Sequence, residues 1–128
     1  MAEGALGKVY QDGDVIIRQG DVGDCMYVIQ EGEVEVVHES QGREIQLQVH
    51  GPGAFFGEMA IFDKHLRSAT VRALGEAKVL TVDKKNLMRR VHEDPSLAFK
   101  LVETMSQRIR ELVDKVASLE GEVDSLRG

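Results

Sequence analysis

The chain has 128 residues, of which 42% are hydrophobic and 30% charged, and its formal net charge at pH 7 is −6. These values indicate one ordinary globular domain and exclude a disordered or collagen-like polymer. The acidic balance and the dispersed Lys and Arg residues argue against direct contact with nucleic acid. No apolar run reaches the roughly 20 residues that span a bilayer, so we expect a cytoplasmic protein without a membrane segment.

The first part of the chain, from Lys8 to about Asp83, carries short β-branched runs separated by Gly and Asp. This rhythm is typical of a small all-β sandwich or barrel. In "QEGEVEVVH" the alternating valines and glutamates predict a strand with one solvated face, and "QEGE" predicts a hairpin turn before it. The glycines that we interpret as turn residues with positive φ are Gly13, Gly20, Gly32 and Gly53.

The composition changes after Asp83, where Leu, Lys, Arg, Glu and Met dominate and the pattern becomes helical. The run "KKNLMRRVHEDP" predicts a short helix that stops before Pro95. Ser96 is the predicted N-cap of a second, long helix that continues to the end of the sequence.

The long helix has apolar residues at a strict spacing of three then four. Set as heptads, the a positions are β-branched and the d positions are leucine, which is the preference of parallel two-stranded coiled coils. The seam consists of Ile109, Leu112, Val116, Leu119, Val123 and Leu126. In a parallel coiled coil, Lys115 would face Glu120 of the partner subunit, and Glu122 would face Arg127 of the partner subunit. The alternative is packing on the chain's own β-domain, which suits the segment near Leu101 and Met105 better than the last three turns.

The stretch "FFGEMAIFDKHLRSAT" places two charges, Glu58 and Arg67, in an apolar segment. Buried charges are costly unless they are paired or bind a ligand. We interpret "GEMAIF" as a single helical turn that opens at Gly57, where unpartnered N–H groups suit an anion. Arg67 can grip two phosphate oxygens, and Ser68 offers another donor. Glu58 would instead accept hydrogen bonds from a neutral group such as a sugar hydroxyl. A buried Glu58–Arg67 salt bridge that serves only the fold is the alternative.

The segment "FGEMAIFDKHLRSATVRA" closely resembles the phosphate-binding cassette of cyclic nucleotide-binding domains. The resemblance extends from about Lys8 to Leu119 and is greatest to the sensor domain of bacterial catabolite activator-type regulators. It implies an α+β, mainly β fold: a small β-sandwich or jelly-roll barrel with a short phosphate-binding helix, followed by C-terminal helices that include a long, coiled-coil-like helix. We expect the nucleotide-binding domain at residues 1–94, with the cassette at 56–70, and the lid and dimerisation helix at 95–128.

The resemblance also implies roles for individual residues. Glu58 would bind the ribose 2′-hydroxyl, and Arg67 would bind the cyclic phosphate with help from the Ala60 N–H and from Ser68. The long helix would close over the base. The complete predicted ligand-binding set is Gly57, Glu58, Met59, Ala60, Arg67, Ser68, Ala69, Arg108 and Leu112.

The base contacts depart from the resemblance. In catabolite activators, adjacent Thr and Ser residues on the long helix hydrogen-bond the adenine. When the alignment is extended without gaps from "EDP", Leu112 and Val113 occupy these positions, and neither side chain can hydrogen-bond a base. Arg108 is a candidate to stack on the base, or it is a solvated helix charge. Some relatives that favour guanine carry threonine where this chain has Ser68. We therefore expect cAMP as the ligand, with cGMP as the alternative.

The expected function is a regulatory sensor that transmits ligand occupancy through its C-terminal helix as a parallel homodimer. We find no catalytic constellation and predict neither an enzyme nor a cofactor. One alternative is a ligand-free dimerisation module of the same fold. A second is a haem-based gas sensor that uses His65. No effector segment is recognisable, so we expect either a sensor from a longer regulator or a free-standing protein that acts through a partner.

Overall fold

The structure is a computed structural model that describes residues 7–62 and 66–127. The chain divides into two compact units, one that ends at Leu87 and one that begins at Met88. In chain order the elements are β1 (Lys8–Tyr10), β2 (Val15–Ile17), β3 (Cys25–Ser40), β4 (Arg43–His50), β5 (Phe55–Phe56), α1 (Met59–Phe62), β6 (Thr70–Asp83), α2 (Lys84–Glu93) and α3 (Ser96–Arg127).

The six strands found in the described residues form one sheet in which every pairing is antiparallel. Its two longest strands, β3 and β6, lie side by side, and their pairing runs from Cys25 opposite Asp83 to Val37 opposite Thr70. The two halves of each strand have different neighbours. The first half of β3 pairs with β5 and the second half with β4, while β6 pairs first with β2 and then with β1.

The long strands bend where their register shifts, between Ile29 and Glu31 and again between Glu31 and Glu33. Such bulges re-aim a strand and allow a sheet to fold over on itself. The result is a single core to which both halves contribute, with Ile29 and Val79 from one half and Val34 and Val71 from the other. Its buried members are Ile17, Ile29, Val34, Phe56, Val71, Ala73, Ala77 and Val79.

The predicted hairpin turn at "QEGE" is wrong, because β3 continues through it as part of one strand of 16 residues. Gly32 does have the predicted positive φ, 81°. Its role is different: a Cβ there would overlap the carbonyl oxygen of Glu76 on the neighbouring strand. Glycine is thus required because two neighbouring strands approach each other closely at this bend. The sequence pattern had instead suggested that the chain reverses direction here.

The predicted helices are present, but the cap of α3 is not Ser96. The carboxylate of Asp94 accepts hydrogen bonds from the main-chain N–H of Ser96 at 3.2 Å and from its hydroxyl at 2.6 Å. The cap is therefore Asp94, with Pro95 in the first helical position that suits its missing N–H. The hydrogen bonds from Ser96 also lower the pKa of the Asp94 carboxyl.

The predicted fold class is confirmed: a mostly antiparallel β-sheet is followed by C-terminal helices. Among the helices of residues 7–62 and 66–127, none combines the length and the apolar content needed to cross a bilayer.

Candidate functional site

The first part of the candidate site is a tight turn between β5 and α1. Phe55, Phe56, Ala60 and Ile61 are all buried, so the turn is anchored by apolar side chains on both flanks. Gly57 has a φ of 75°, a conformation that glycine adopts without strain. Its carbonyl oxygen accepts a hydrogen bond from the Ala60 N–H at 3.3 Å. The sequence-based expectation of one helical turn opening at Gly57 matches this geometry.

Glu58 lies inside this turn with only 8% of its surface exposed. It is one of two buried polar residues in the described chain, the other being Thr70. A carboxylate in such a position is expected to have hydrogen-bond donors around it, because an ion is costly to remove from water. The turn therefore presents an acceptor group at a defined place next to the Gly57 backbone.

The second part of the site is the guanidinium of Arg67, which is held by main-chain carbonyl groups. Nη1 donates to the carbonyl oxygen of Gly57 and Nη2 to that of Cys25, both at 2.9 Å. Cζ also lies 5.9 Å from the ring centre of Tyr27. Within residues 7–62 and 66–127 the structure forms no ion pair between Arg67 and Glu58. The contacts of the Arg67 guanidinium with the Gly57 and Cys25 carbonyl groups do not support the alternative of a purely structural Glu58–Arg67 salt bridge.

The ring of Tyr27 forms the apolar surface next to the Arg67 guanidinium. Its ring stacks on Phe56 with 5.2 Å between centroids and 15° between planes. Burial and, secondarily, a hydrogen bond with the Cys25 side chain raise the pKa of the Tyr27 hydroxyl well above its usual range. The hydroxyl is therefore neutral at physiological pH, and Tyr27 adds no negative charge that would oppose the positive charge of Arg67.

The remaining predicted ligand-binding residues fall into two groups. Met59 is exposed on α1, while Ser68 is exposed and Ala69 half-buried just before β6. These residues, with Gly57, Glu58, Ala60 and Arg67, belong to the first compact unit. Arg108 and Leu112 lie on α3 in the second unit, where Arg108 is half-buried and Leu112 is 60% exposed. His65, the candidate haem ligand, is outside the described residues.

The coiled-coil seam predicted on α3 is an exposed apolar stripe in this single chain. The exposed fractions are 60% for Ile109, 60% for Leu112, 55% for Val116, 60% for Leu119, 44% for Val123 and 88% for Leu126. An exposed stripe of this length is unusual for a helix that buries its apolar face within its own chain.

Three residues that border the Arg67 side chain were missed by the sequence reasoning: Gly23, Cys25 and Tyr27. Cys25 acts through its carbonyl oxygen, so its residue type carries no signal. Gly23 did carry a signal, because "GDVGD" has a second glycine that a simple turn does not need. Interpreting Gly20 only as a turn residue hid the relation of this run to the arginine.

The chain thus combines a mostly antiparallel β-sheet and C-terminal helices with a glycine turn that lies against Arg67. The chain belongs to the cyclic nucleotide-binding domain family, whose model matches residues 7–94, more than half of the sequence. This match confirms the resemblance noted in the cassette. The chain is thus a cyclic nucleotide-binding domain related to cAMP-binding regulators.

Individual relatives include regulators of different architecture. The cAMP-dependent protein kinase regulatory subunit of Schizosaccharomyces pombe is 42% identical over 63% of this chain and 19% of its own length. The cyclic AMP receptor protein of Thermus thermophilus is 30% identical over 81% of this chain and 49% of its own length. The chain therefore spans about a fifth to a half of these relatives. The crystal structure of the Thermus thermophilus catabolite activator protein superposes with a TM-score of 0.79 at 28% identity, covering 91% of this chain and 56% of that one.

Proposed function

We propose that this domain is a sensor that binds a cyclic nucleotide, with cAMP as the preferred ligand, through the cassette at residues 56–70. The observation that carries the proposal is the placement of Arg67 beside the Gly57 turn by two carbonyl groups. A guanidinium has five N–H donors, so two carbonyl contacts leave it the capacity to bind a phosphate. No reorganisation of the arginine would then be needed when the ligand arrives.

Each cassette residue has a role that fits its chemistry. Arg67 binds the exocyclic oxygens of the cyclic phosphate, and the exposed Ser68 supplies a further hydroxyl or N–H donor. Glu58, buried in the turn, accepts a hydrogen bond from the ribose 2′-hydroxyl. Gly57 allows the sugar to approach the backbone. The remaining cassette residues of the predicted ligand-binding set are Met59, Ala60 and Ala69. Contacts of Arg108 and Leu112 with the base stay a prediction of the family resemblance.

The preference for cAMP rests on two supports. Several relatives are named as cAMP-dependent protein kinase regulatory subunits or as cAMP receptor proteins. At position 68 the chain has serine, where some relatives that favour guanine have threonine. The discrimination between adenine and guanine is expected to be modest, because Leu112 and Val113 offer no hydrogen bond to a base.

We further propose that α3 transmits ligand occupancy as part of a parallel homodimer. The support is its exposed seam of β-branched a and leucine d residues, together with the complementary pair of Lys115 and the partner's Glu120. Signal transmission requires the ligand to have different affinities for two poses of the helix. The output would lie in an effector segment or partner protein. A binding role without catalysis, a cytoplasmic location and the absence of direct nucleic-acid contact stay predictions.

A domain of the same fold that only dimerises is the second candidate, supported by the same seam. Isothermal titration with cAMP, cGMP and AMP separates the two and tests base preference in one series. A sensor should bind cAMP more tightly than cGMP and should bind AMP weakly, since AMP carries an extra charge and lacks the ring. The sensor proposal fails if none of the three nucleotides produces saturable heat or raises the thermal midpoint, as any ligand specific to the native state must.

A further inference from the structure

The segment from Gly20 to Cys25 wraps around Arg67, although it precedes the cassette by more than 30 positions in the sequence. The Arg67 N–H donates to the carbonyl oxygen of Asp21 at 2.7 Å, and the Gly20 N–H donates to the carbonyl oxygen of Arg67 at 2.9 Å. An isolated antiparallel bridge joins Val22 to Leu66 beside them. The same segment therefore fixes both the main chain of the arginine and, through the Cys25 carbonyl, its guanidinium.

Gly23 lies where this segment passes the guanidinium. A Cβ at position 23 would overlap Nε, Cζ and Nη2 of Arg67, and these are the three heavy atoms nearest to it. Gly23 is not among the glycines with positive φ. Its backbone conformation is thus open to any residue, and what glycine provides here is space.

We propose that Gly23 is a positioning residue: its missing side chain creates the space in which the Arg67 guanidinium sits when it binds the cyclic phosphate. This proposal rests on the proposed function of Arg67. A side chain at position 23 would force the guanidinium away from the Gly57 and Cys25 carbonyls, because the arginine is the flexible partner. The displaced group would meet the phosphate with poorer geometry, and ligand affinity would fall while the fold persisted.

Gly57 also borders the guanidinium, but it is a less informative position for a test. A Cβ on Gly57 would meet Arg67 Nη1 and Ile17 Cδ1, each at 2.9 Å, and its φ is 75°. Substitution there would mix backbone strain, core overlap and displacement of the arginine. Gly23→Ala isolates the last of these effects. Gly51→Ala is a matched control, since a Cβ at Gly51 meets no atom within 4 Å and its φ is not positive.

The experiment compares Gly23→Ala, Gly51→Ala, Arg67→Ala and the Gly23→Ala/Arg67→Ala double variant in the full chain. Titration calorimetry with cAMP should show affinity about tenfold or more weaker for Gly23→Ala and unchanged for Gly51→Ala, as expected when one charge-assisted contact is misaligned. In ¹⁵N NMR spectra without ligand, the Nε–H resonance of Arg67 should shift in Gly23→Ala and stay in place in Gly51→Ala. This resonance reports the guanidinium itself, which a general loss of stability would not move.

The double variant distinguishes positioning from a structural role. In the Arg67→Ala background, Gly23→Ala should leave the thermal midpoint unchanged, because the atoms that it would overlap are gone. This comparison also decides the matter if Gly23→Ala alone fails to fold. The proposal is overturned if Gly23→Ala binds cAMP like the wild type while Arg67→Ala does not, or if Gly23→Ala lowers the midpoint equally in both backgrounds. If Arg67→Ala itself retains cAMP affinity, the proposed function fails first, and the role of Gly23 in nucleotide binding falls with it.

Discussion

The guanidinium of Arg67 donates to the carbonyl oxygen of Gly57, with 2.9 Å between Nη1 and the oxygen. The N–H of Ala60 donates to the same oxygen at 3.3 Å. One carbonyl oxygen thus accepts hydrogen bonds both from Arg67 and from the helical turn that precedes it in the chain. The guanidinium proposed to bind phosphate is therefore placed by the fold, which lowers the ordering cost of binding.

Arg67→Lys tests whether the geometry of the guanidinium matters beyond its charge. An ammonium group cannot reach two carbonyls and a phosphate in one plane, so we expect cAMP affinity to fall by about 10- to 100-fold. Titration calorimetry measures the change, with the thermal midpoint as a check on folding. Wild-type affinity in Arg67→Lys would show that a point charge suffices and would contradict the bidentate role.

Glu58→Gln tests the proposed contact with the sugar. The amide keeps the shape of the buried side chain but removes the charge that strengthens the hydrogen bond from the 2′-hydroxyl. We expect the wild type to bind cAMP about tenfold more tightly than 2′-deoxy-cAMP. In Glu58→Gln this ratio should shrink towards one. An unchanged ratio in the variant would remove Glu58 from the sugar contact.

The pair Leu112→Lys and Leu119→Lys tests the coiled-coil seam. Both leucines occupy d positions and are 60% exposed in the single chain, so lysine there costs the monomer little. We expect a dimer in the wild type and a monomer in the double variant by light scattering at micromolar concentration. Ala117→Lys and Ser118→Lys, which lie off the seam on the same helix, should leave the dimer intact. A dimer that survives the seam substitutions would show that another surface joins the subunits.

Glu35 provides a test of the electrostatics of the sheet. Hydrogen bonds from Arg72 Nε, at 2.7 Å, and then from Gln46 lower the pKa of the Glu35 carboxyl. A carboxyl with a depressed pKa in the folded state stabilises that state above its unfolded pKa, and this contribution is lost as the pH falls through the folded value. Arg72 also pairs with Glu44, and the two carboxylates raise the pKa of its guanidinium, Glu44 being the larger cause.

We therefore expect Glu35→Gln to be less stable than the wild type near pH 7 by up to about 1 kcal/mol, as for other ion pairs near a protein surface. Urea unfolding at about pH 7 and at a pH below the lowered pKa of the folded-state carboxyl measures the difference, which should largely vanish at the lower pH, where the carboxyl is protonated in both states. A difference of equal size at both pH values would mean that the amide disturbs packing and that the ion pair contributes little.

Much of the fold was predictable because its signals are local. The change from β-branched runs to a helical pattern after Asp83, and the stop before Pro95, depend only on neighbouring residues. The continuity of β3 through Gly32 was not predictable in this way. It depends on the carbonyl of Glu76, which lies 44 positions further along the chain and which only a glycine can approach.

The chemistry of the site residues was predictable from the sequence, but their surroundings were not. The residue types of Gly57, Glu58 and Arg67 carry their chemistry, so the sequence indicates what they can bind. The cradle of Arg67 could not be foreseen, because it is made of the carbonyl groups of Gly57 and Cys25 and of the space at Gly23. Main-chain acceptors and absent side chains leave little trace in residue types.

Titration of cAMP into the wild type and into Arg67→Leu tests the central claim most directly. Leucine removes the guanidinium and keeps an apolar side chain against Tyr27, so the fold and any dimer should persist. We predict saturable binding of cAMP by the wild type and no detectable binding by Arg67→Leu at the same concentrations. Equal affinities in the two proteins would contradict the assignment of Arg67 as the phosphate ligand and, with it, the cassette as the nucleotide site.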